Sequence, residues 1–249
     1  MSFHGKVALV TGSSKGLGKG IALRLARQGA RVVINYNKDE EAAKATLAEV
    51  AAAGGEAVAV QADVSDVEEI ERLFQDAEAA FGRVDIVVAN AGIEKVNIPV
   101  VETTEEDFDL LMRVNTKGPF FVLRAAARHV ADHGRIINVA SSSTVRPQVG
   151  LGLYGTSKSA PKYLVRVLAL ELAHRGITVN SLVPGPVDGA GIFTGVSDEE
   201  PYKKALIDSI PLGRMATPED VADVAEFLAS DKSFFVTGEE LLMNGASSN

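Results

Sequence analysis

The sequence predicts an α/β fold in which helices cover both faces of a doubly wound parallel sheet of about seven strands. Short aliphatic runs recur along the chain, and most are apolar throughout, which is typical of parallel strands buried on both faces. Helical patterns separate these runs, and a repeated order of strand, helix and strand indicates a doubly wound sheet. No low-complexity linker and no repeat of fixed period divides the chain, so we expect one domain over 1–249.

Each expected strand is a short run rich in β-branched residues, and each helix is a longer amphipathic stretch between two such runs. The strands are 7–10, 31–35, 57–61, 86–89, 136–140, 178–183 and 240–243. The helices are 18–28, 40–53, 67–81, 105–130, 155–174 and 218–229. Thr104 and Thr217 each precede acidic residues and are expected to cap helix starts, whereas Gly29 and Gly176 are expected to end helices.

The segment 184–211 differs from the rest of the chain in composition. It opens with Pro184-Gly185-Pro186 and mixes small residues with apolar Ile192 and Phe193. A long insertion after the carboxyl end of a strand is where an active-site lid lies, so we expect a substrate-binding lid here. An ordinary surface loop is the alternative.

Composition limits the kinds of partner. A net charge of −8 argues against nucleic acid, because phosphate binding needs a basic surface. The chain has no cysteine, which excludes disulfides, thiolate nucleophiles and cysteine metal sites. No segment approaches the ~20 apolar residues of a membrane span, and the histidines lack ligand spacing with carboxylates. We therefore expect a cytoplasmic protein with a small-molecule substrate, no membrane contact and no catalytic metal.

A glycine-rich turn follows the first strand and leads into the first helix. Residues 11–18 read T-G-S-S-K-G-L-G, a spacing distinct from G-x-G-x-x-G. Glycines here permit a tight turn and close approach of the backbone to a pyrophosphate, which the helix N-terminus attracts. A purely structural turn is the alternative, but the position directly after the first strand favours dinucleotide binding.

Tyr154 and Lys158 lie at positions i and i+4, and so share one face of a helix. An ammonium near a phenol favours the phenolate, so Lys158 is expected to lower the pKa of Tyr154. A tyrosine with such a pKa can act as a general acid or base. Pairs of this kind also arise by chance in amphipathic helices, so the motifs around the pair decide its meaning.

Seven ordered motifs resemble those of the classical short-chain dehydrogenases/reductases, and the resemblance covers almost the whole chain. They are the glycine turn, Asp63-Val64, Ala89-Asn90-Ala91-Gly92, Asn115, Ser141, the Tyr154/Lys158 pair and Pro184-Gly185. The resemblance implies a Rossmann fold and a member similar to 3-oxoacyl reductases and ketoreductases. Two departures are visible: the usual N-N-A-G reads A-N-A-G, and Gly189 stands where a threonine often contacts the nicotinamide amide. Thr194 is a candidate replacement.

The resemblance also implies roles for individual residues. Ser141 would hold the substrate carbonyl, Tyr154 would deliver a proton, Lys158 would also bind the nicotinamide ribose, and Asn115 would support a water chain. Ser143, Gln148, Ile192 and Phe193 are expected to line the substrate pocket. Cofactor contacts are expected from Gly12, Ser14, Lys15, Gly16, Leu17, Gly18, Asn35, Tyr36, Asn37, Asp63, Val64, Asn90, Ala91, Gly92, Tyr154, Lys158, Pro184, Gly185 and Val187.

The end of the second strand bears on the choice between NAD(H) and NADP(H). An NAD-specific site needs an acidic side chain there, whereas this strand ends V-I-N-Y-N-K. Asn35 is neutral and would not repel a 2′-phosphate, and Lys15 and Lys38 could attract one. Lys15 also matches a basic position of NADP-preferring relatives. Both lysines could equally be solvated surface charges, but NADP(H) is favoured over NAD(H).

The sequence thus predicts an NADP(H)-dependent oxidoreductase, a carbonyl reductase that converts a ketone or aldehyde reversibly into an alcohol. An NAD-dependent alcohol or sugar dehydrogenase stays open within the enzyme class. A non-catalytic NADP(H)-sensing regulator is the alternative of another class, but it would be expected to have lost the catalytic residues. Surplus apolar residues on helices 105–130 and 155–174, together with the resemblance, predict a homotetramer. The sequence does not identify the substrate.

Overall fold

A computed structural model describes residues 2–247, which contain one seven-stranded parallel sheet in the order β3-β2-β1-β4-β5-β6-β7. The strands are β1 (Val7–Val10), β2 (Arg31–Tyr36), β3 (Glu56–Gln61), β4 (Val84–Ala89), β5 (Val130–Val139), β6 (Thr178–Pro184) and β7 (Glu240–Met243). The prediction of a doubly wound sheet is therefore confirmed. The largest difference is in β5, which begins at Val130 rather than at 136.

Eight α-helices flank the sheet in residues 2–247: α1 (Gly16–Arg27), α2 (Glu40–Ala52), α3 (Val67–Phe81), α4 (Glu105–Leu111), α5 (Gly118–His129), α6 (Gly152–Leu172), α7 (Pro201–Asp208) and α8 (Pro218–Ala229). Each face of the sheet has its own apolar core. Val7 and Leu9 of β1 pack with α3, α5 and α6, whereas Ala8 and Val10 pack with α1, α2 and α8. Burial on both faces explains why the strands are apolar throughout.

The prediction of a single α-helix over 105–130 is wrong. It consists of α4, a π-helical segment Met112–Lys117 and α5. A π-helical turn holds one more residue than an α-helical turn, and such turns occur frequently at functional sites. Here the segment carries Asn115, whose side chain is completely buried.

The segment 184–211 is more ordered than a loop of its composition suggests. It contains a 3₁₀ turn at Gly191–Phe193 and the helix α7, which the sequence analysis did not predict. Lys203 of α7 is buried, and its Nζ bonds to Asp188 Oδ1 and Asp198 Oδ1, each at 2.6 Å, and to the Val196 carbonyl at 2.9 Å. A buried lysine thus ties three points of the segment together.

Candidate active site

The predicted site residues gather at one edge of the sheet, because all strands are parallel and their carboxyl ends meet there. The glycine turn follows β1, Tyr36 ends β2, Asp63 follows β3, Asn90 follows β4 and Ser141 follows β5. The strand order reverses between β1 and β4. In doubly wound sheets a ligand-binding crevice lies at this point, outside the carboxyl ends of the strands.

The glycine turn has the close backbone contacts that a dinucleotide site requires. A Cβ at Gly18 would overlap the Gly12 carbonyl and lie 2.5 Å from Asn90 Nδ2, and a Cβ at Gly12 would lie 2.9 Å from Ala91 Cα. The first turn of α1 has no side-chain cap and no acidic residue. Its N–H groups are thus left for an anion, so the turn fits the pyrophosphate of a dinucleotide.

Thr11 and Asn90 fasten the glycine turn to the segment after β4. The Thr11 hydroxyl accepts hydrogen bonds from the N–H groups of Asn90 and Ala91 at 2.9 and 3.0 Å. The Asn90 amide donates back to the Thr11 and Gly12 carbonyls at 2.9 and 3.2 Å. The first asparagine of the usual N-N-A-G motif is not needed for these bonds, because they are made by the second one, Asn90.

Asn35 does not face the ribose as expected. Its side chain is only 1% exposed, its Oδ1 accepts from the Gly12 N–H at 2.9 Å, and its Nδ2 donates to the Ala62 carbonyl at 3.0 Å. These bonds occupy the amide on both sides. Asn35 therefore supports the glycine turn from below, and the exposed residues after β2 begin at Asn37.

Asp63 and Asn37 are joined at the far end of the crevice. Burial alone would raise the pKa of Asp63, but hydrogen bonds from Ser65 and Asn37 and the charge of Arg113 hold it below its ordinary value. The carboxyl is thus ionised and oriented. Val64 is buried beside it, and its carbonyl lies 2.9 Å from where a Cβ of Gly118 would stand.

Lys15 is exposed at the rim of the glycine turn and already has a partner. Its Nζ lies 3.3 Å from Asp39 Oδ2, and Asp39 also caps α2. The carboxylate missing at the end of β2 is therefore present slightly later in the chain. An exposed pair of this kind is weak and exchanges easily, so the ammonium remains accessible to a phosphate.

Asn115, Lys158 and Gly92 meet beneath the segment after β4. The Asn115 Oδ1 accepts from the Ile93 N–H at 2.9 Å, and its Nδ2 donates to the Ile93 carbonyl at 2.8 Å and to Ser157 Oγ at 3.1 Å. A Cβ at Gly92 would lie 2.8 Å from Lys158 Nζ. Asn115 thus fixes the backbone that lies over Lys158, and Ser157 is a supporting residue that the sequence analysis missed.

The side chains of Tyr154 and Ser141 lie close together, and the Ser141 hydroxyl lowers the pKa of Tyr154. Ser143 donates its hydroxyl to Ser141 Oγ at 3.0 Å, so the two serines lie side by side. Tyr154 is only 8% exposed. The hydroxyls of Tyr154 and Ser141 can therefore bind the same small acceptor, such as a carbonyl oxygen.

The pKa of Tyr154 is shifted in the direction opposite to our expectation. Burial raises the pKa, the charge of Glu94 raises it further, and the hydrogen bond with Ser141 lowers it only in part. Desolvation, which is the largest cause, and the charge of Glu94 together outweigh the effect of Ser141. Tyr154 is therefore a protonated phenol, which can donate a proton to an oxygen that becomes negative.

Lys158 is a buried lysine. Among residues 2–247 its ammonium makes one hydrogen bond, a long one of 3.4 Å from Nζ to the Val139 carbonyl. Burial lowers the pKa of Lys158 from 10.5 to about 8, and the charge of Glu94 opposes this shift. At neutral pH the side chain is still mainly an ammonium. Its remaining donors can bind a hydroxyl or ribose placed over the site.

The lid approaches the site through Glu94, which lies two residues after Gly92 in the segment that follows β4. Glu94 Oε2 accepts a hydrogen bond from the Ile192 N–H at 2.8 Å. Phe193 stacks on Tyr202 of α7 with ring centroids 6.3 Å apart. Gln148 lies exposed on the loop before α6. An exposed glutamate has no sequence signal of its own, so only the fold reveals its place between lid and tyrosine.

Gly189 and Thr194 are both engaged within the lid. Gly189 has a φ of +67°, and its N–H donates to Asp188 Oδ1 at 2.9 Å. The Thr194 hydroxyl donates to the Gly191 carbonyl at 2.9 Å, inside the 3₁₀ turn. Thr194 is thus committed to the lid's own turn, and the expected replacement for the missing threonine is not supported.

The remaining predicted cofactor residues shape the floor of the crevice. Gly185 donates its N–H to the Met243 carbonyl at 2.8 Å, directly after Pro184, and Val187, near the start of the lid segment, is buried. Ser14 and Leu17 anchor the glycine turn, Ser14 through a bond from Thr46 to its carbonyl. Residues 2–247 contain no cluster of histidine and carboxylates suited to a metal, and none of their helices is long and apolar enough to cross a membrane.

Comparisons with known proteins agree with this geometry. A family model described as enoyl-(acyl carrier protein) reductase matches residues 12–246. A hydroxynaphthalene reductase-like protein Arp2 of Metarhizium brunneum is 42% identical in an alignment of length 259, which covers 99% of this chain and 96% of that protein. A short-chain dehydrogenase/reductase of Serratia marcescens superposes with a TM-score of 0.94 at 34% identity over 100% of both chains. A short-chain dehydrogenase of Burkholderia cenocepacia in complex with NADP superposes with a TM-score of 0.92 at 34% identity over 99% of both chains.

Proposed function

The chain belongs to the short-chain dehydrogenase/reductase family, and on this premise we propose that it is an NADP(H)-dependent carbonyl reductase. It converts a ketone or aldehyde reversibly into an alcohol. The observation that supports this most is the buried Tyr154 beside Ser141, together with the buried Lys158 that packs against Gly92 of the segment after β4. A sensor that binds the cofactor without turnover would have no need of this arrangement.

The mechanism follows from the protonation states of the site. The hydroxyls of Ser141 and Tyr154 hold the carbonyl oxygen, and a bound nicotinamide would supply the hydride. Tyr154 then gives its proton to that oxygen, which is the direction of transfer that a protonated, buried phenol favours. The Lys158 ammonium holds the ribose and stabilises the phenolate that is left. Asn115 keeps the backbone above Lys158 in place.

The preference for NADP(H) over NAD(H) is supported by Lys15 and by a relative. Lys15 is exposed beside the residues that follow β2, where a 2′-phosphate would lie. The Burkholderia cenocepacia relative holds NADP. Asp39 opposes this preference, because its carboxylate competes for Lys15. We therefore propose a preference for NADP(H) that is graded and not absolute.

The proposed substrate is an uncharged, largely apolar ketone. Ile192 and Phe193 of the lid and Ser143 beside the catalytic serine would line its pocket, with Gln148 at the rim. The name of the Metarhizium relative makes cyclic ketones related to hydroxynaphthalenes the first compounds to test. We further propose a cytoplasmic homotetramer of single-domain subunits with 184–211 as the lid, since Phe120, Tyr163, Leu170 and Leu242 expose apolar surface.

A substrate panel with both cofactors tests this function. Cyclic and aromatic ketones, 3-oxoacyl thioesters, sugars and secondary alcohols are offered with NADPH, NADH and their oxidised forms, and turnover is followed by absorbance of the reduced nicotinamide. Reduction of a ketone with NADPH at a higher kcat/KM than with NADH is expected. Turnover only of alcohols or sugars with NAD would favour the dehydrogenase alternative, and tight NADPH binding without any turnover would favour the sensor.

A further inference from the structure

Glu94 connects the lid to the segment that follows β4. It follows Gly92 and Ile93, whose backbone Asn115 holds from below. Its carboxylate accepts the Ile192 N–H at 2.8 Å. It also packs against the backbone of Gly191, so closely that a Cβ there would overlap an oxygen and lie 2.8 Å from Cδ. The contact thus depends on an acceptor oxygen on one side and on a glycine on the other.

The charge of Glu94 also acts on both catalytic side chains. It raises the pKa of Tyr154 and, against the effect of burial, that of Lys158. Glu94 is thus a charged group that acts on both the phenol and the Lys158 ammonium. The neighbouring Lys95 pairs with Asp107 instead of with Glu94.

From these contacts we propose that Glu94 is a positioning residue, which latches the lid against the segment after β4 and places a negative charge near Tyr154. The inference rests on the proposed function, but its two parts are separable. The latch needs only a hydrogen-bond acceptor at position 94 and a glycine at position 191. The effect on Tyr154 needs the negative charge itself.

Three variants separate the latch from the charge. Glu94→Gln keeps an acceptor oxygen for Ile192 and removes the charge. Gly191→Ala keeps the charge and pushes the lid off the carboxylate. Glu94→Ala removes both. Gly213→Ala is the matched control, because Gly213 also has a positive φ, of +72°, but has nothing within 4 Å of its would-be Cβ and lies beyond the lid.

The first readout is hydrogen exchange of the Ile192 amide in the protein without substrate, together with the KM for the best ketone of the panel. Gly191→Ala and Glu94→Ala are expected to raise both the exchange rate and the KM roughly tenfold, because a hydrogen bond to a charged group is lost. Glu94→Gln and Gly213→Ala should keep both within about twofold of the original protein. Unchanged Ile192 exchange and KM in Gly191→Ala and Glu94→Ala would overturn the latch.

The second readout is the pH profile of kcat for oxidation of the product alcohol, in which Tyr154 must lose its proton. Glu94 raises the pKa of Tyr154, so removing the charge lowers that pKa and shifts the acidic limb of the profile to lower pH. Glu94→Gln and Glu94→Ala should show this shift, and Gly191→Ala should not. An unshifted limb in Glu94→Gln would overturn the role of the charge. Amide exchange needs no turnover, so a failure of the proposed function itself would show separately, as a lack of activity in the original protein.

Discussion

Replacing Lys158 with methionine should stabilise the folded chain even as it removes activity. Lys158 is 6% exposed, and among residues 2–247 its Nζ hydrogen-bonds only to the Val139 carbonyl, at 3.4 Å. The fold lowers the pKa of Lys158 from 10.5 to about 8. At about 1.4 kcal/mol per pH unit, holding this ammonium in the fold costs about 3 kcal/mol at neutral pH. Methionine fills a similar volume without that cost.

The pH dependence gives this prediction its sign. Between pH values of about 8 and 10.5 the unfolded chain holds a proton on Lys158 that the folded chain has lost, so stability of the original protein rises over that range. The advantage of Lys158→Met is therefore fully present below about pH 8 and disappears towards pH 10.5. Taking the difference between the two proteins cancels the titration of all other groups.

Urea unfolding of the two apoproteins at pH 7 and at pH 10.5 measures this difference. Lys162→Met is the matched control, since Lys162 is equally buried but paired with Glu240 at 2.6 Å and with Thr144 Oγ1 at 2.8 Å. The control variant should be destabilised, because Glu240 loses its shorter, buried ion pair and keeps only the exposed Arg166 at 2.9 Å. If Lys158→Met is less stable than the original protein at pH 7, or if the difference is the same at both pH values, the reasoning is refuted.

Three further substitutions test the cofactor site and the lid. Lys15→Ala should raise the KM for NADPH about fivefold to thirtyfold and the KM for NADH less than about twofold. Asp39→Asn should lower the KM for NADPH, because Lys15 loses its competing partner. Equal effects of Lys15→Ala on both cofactors would contradict the 2′-phosphate contact. Asn35→Asp places a buried carboxylate against a backbone carbonyl. It should therefore lower the free energy of unfolding by about 2–4 kcal/mol, as measured by urea titration. An unchanged midpoint of unfolding would argue against the supporting role of Asn35. Lys203→Met releases Asp188 and should raise the KM for the ketone while the Kd for NADPH, measured by fluorescence, stays constant; loss of NADPH binding would mean that the tie serves the crevice instead.

The fold was predictable because its signals are local. The strands β1, β4 and β6 are buried along their whole length, and acidic residues behind Thr104 and Thr217 mark real helix starts. The π-helical segment was not predictable, because its residues have good α-helical patterning and the extra residue serves a contact distant in sequence, between Asn115 and Ile93. Tertiary contacts of this kind leave no periodic signal.

The site could be located from sequence, but its energetics could not. The family resemblance paired Ser141 with Tyr154, and the two side chains lie close together in the fold. The pKa of Tyr154 depends on burial and on Glu94, neither of which spacing reveals. Asn35 shows the same limit. Its place at the end of β2 suggested a contact with the ribose, whereas its side chain is buried and accepts a hydrogen bond from the Gly12 N–H.

The most direct test of the proposed mechanism compares the original protein with Tyr154→Phe, using a ketone that the original protein reduces. Phenylalanine keeps the packing of Tyr154 against Leu111 and Leu153, so the fold should persist. We predict that kcat for NADPH-dependent reduction falls at least about a hundredfold, because the proton donor is lost, while the Kd for NADPH changes less than about twofold. Reduction that continues at a comparable rate in Tyr154→Phe, with NADPH bound as before, would contradict the assignment of Tyr154 as the proton donor.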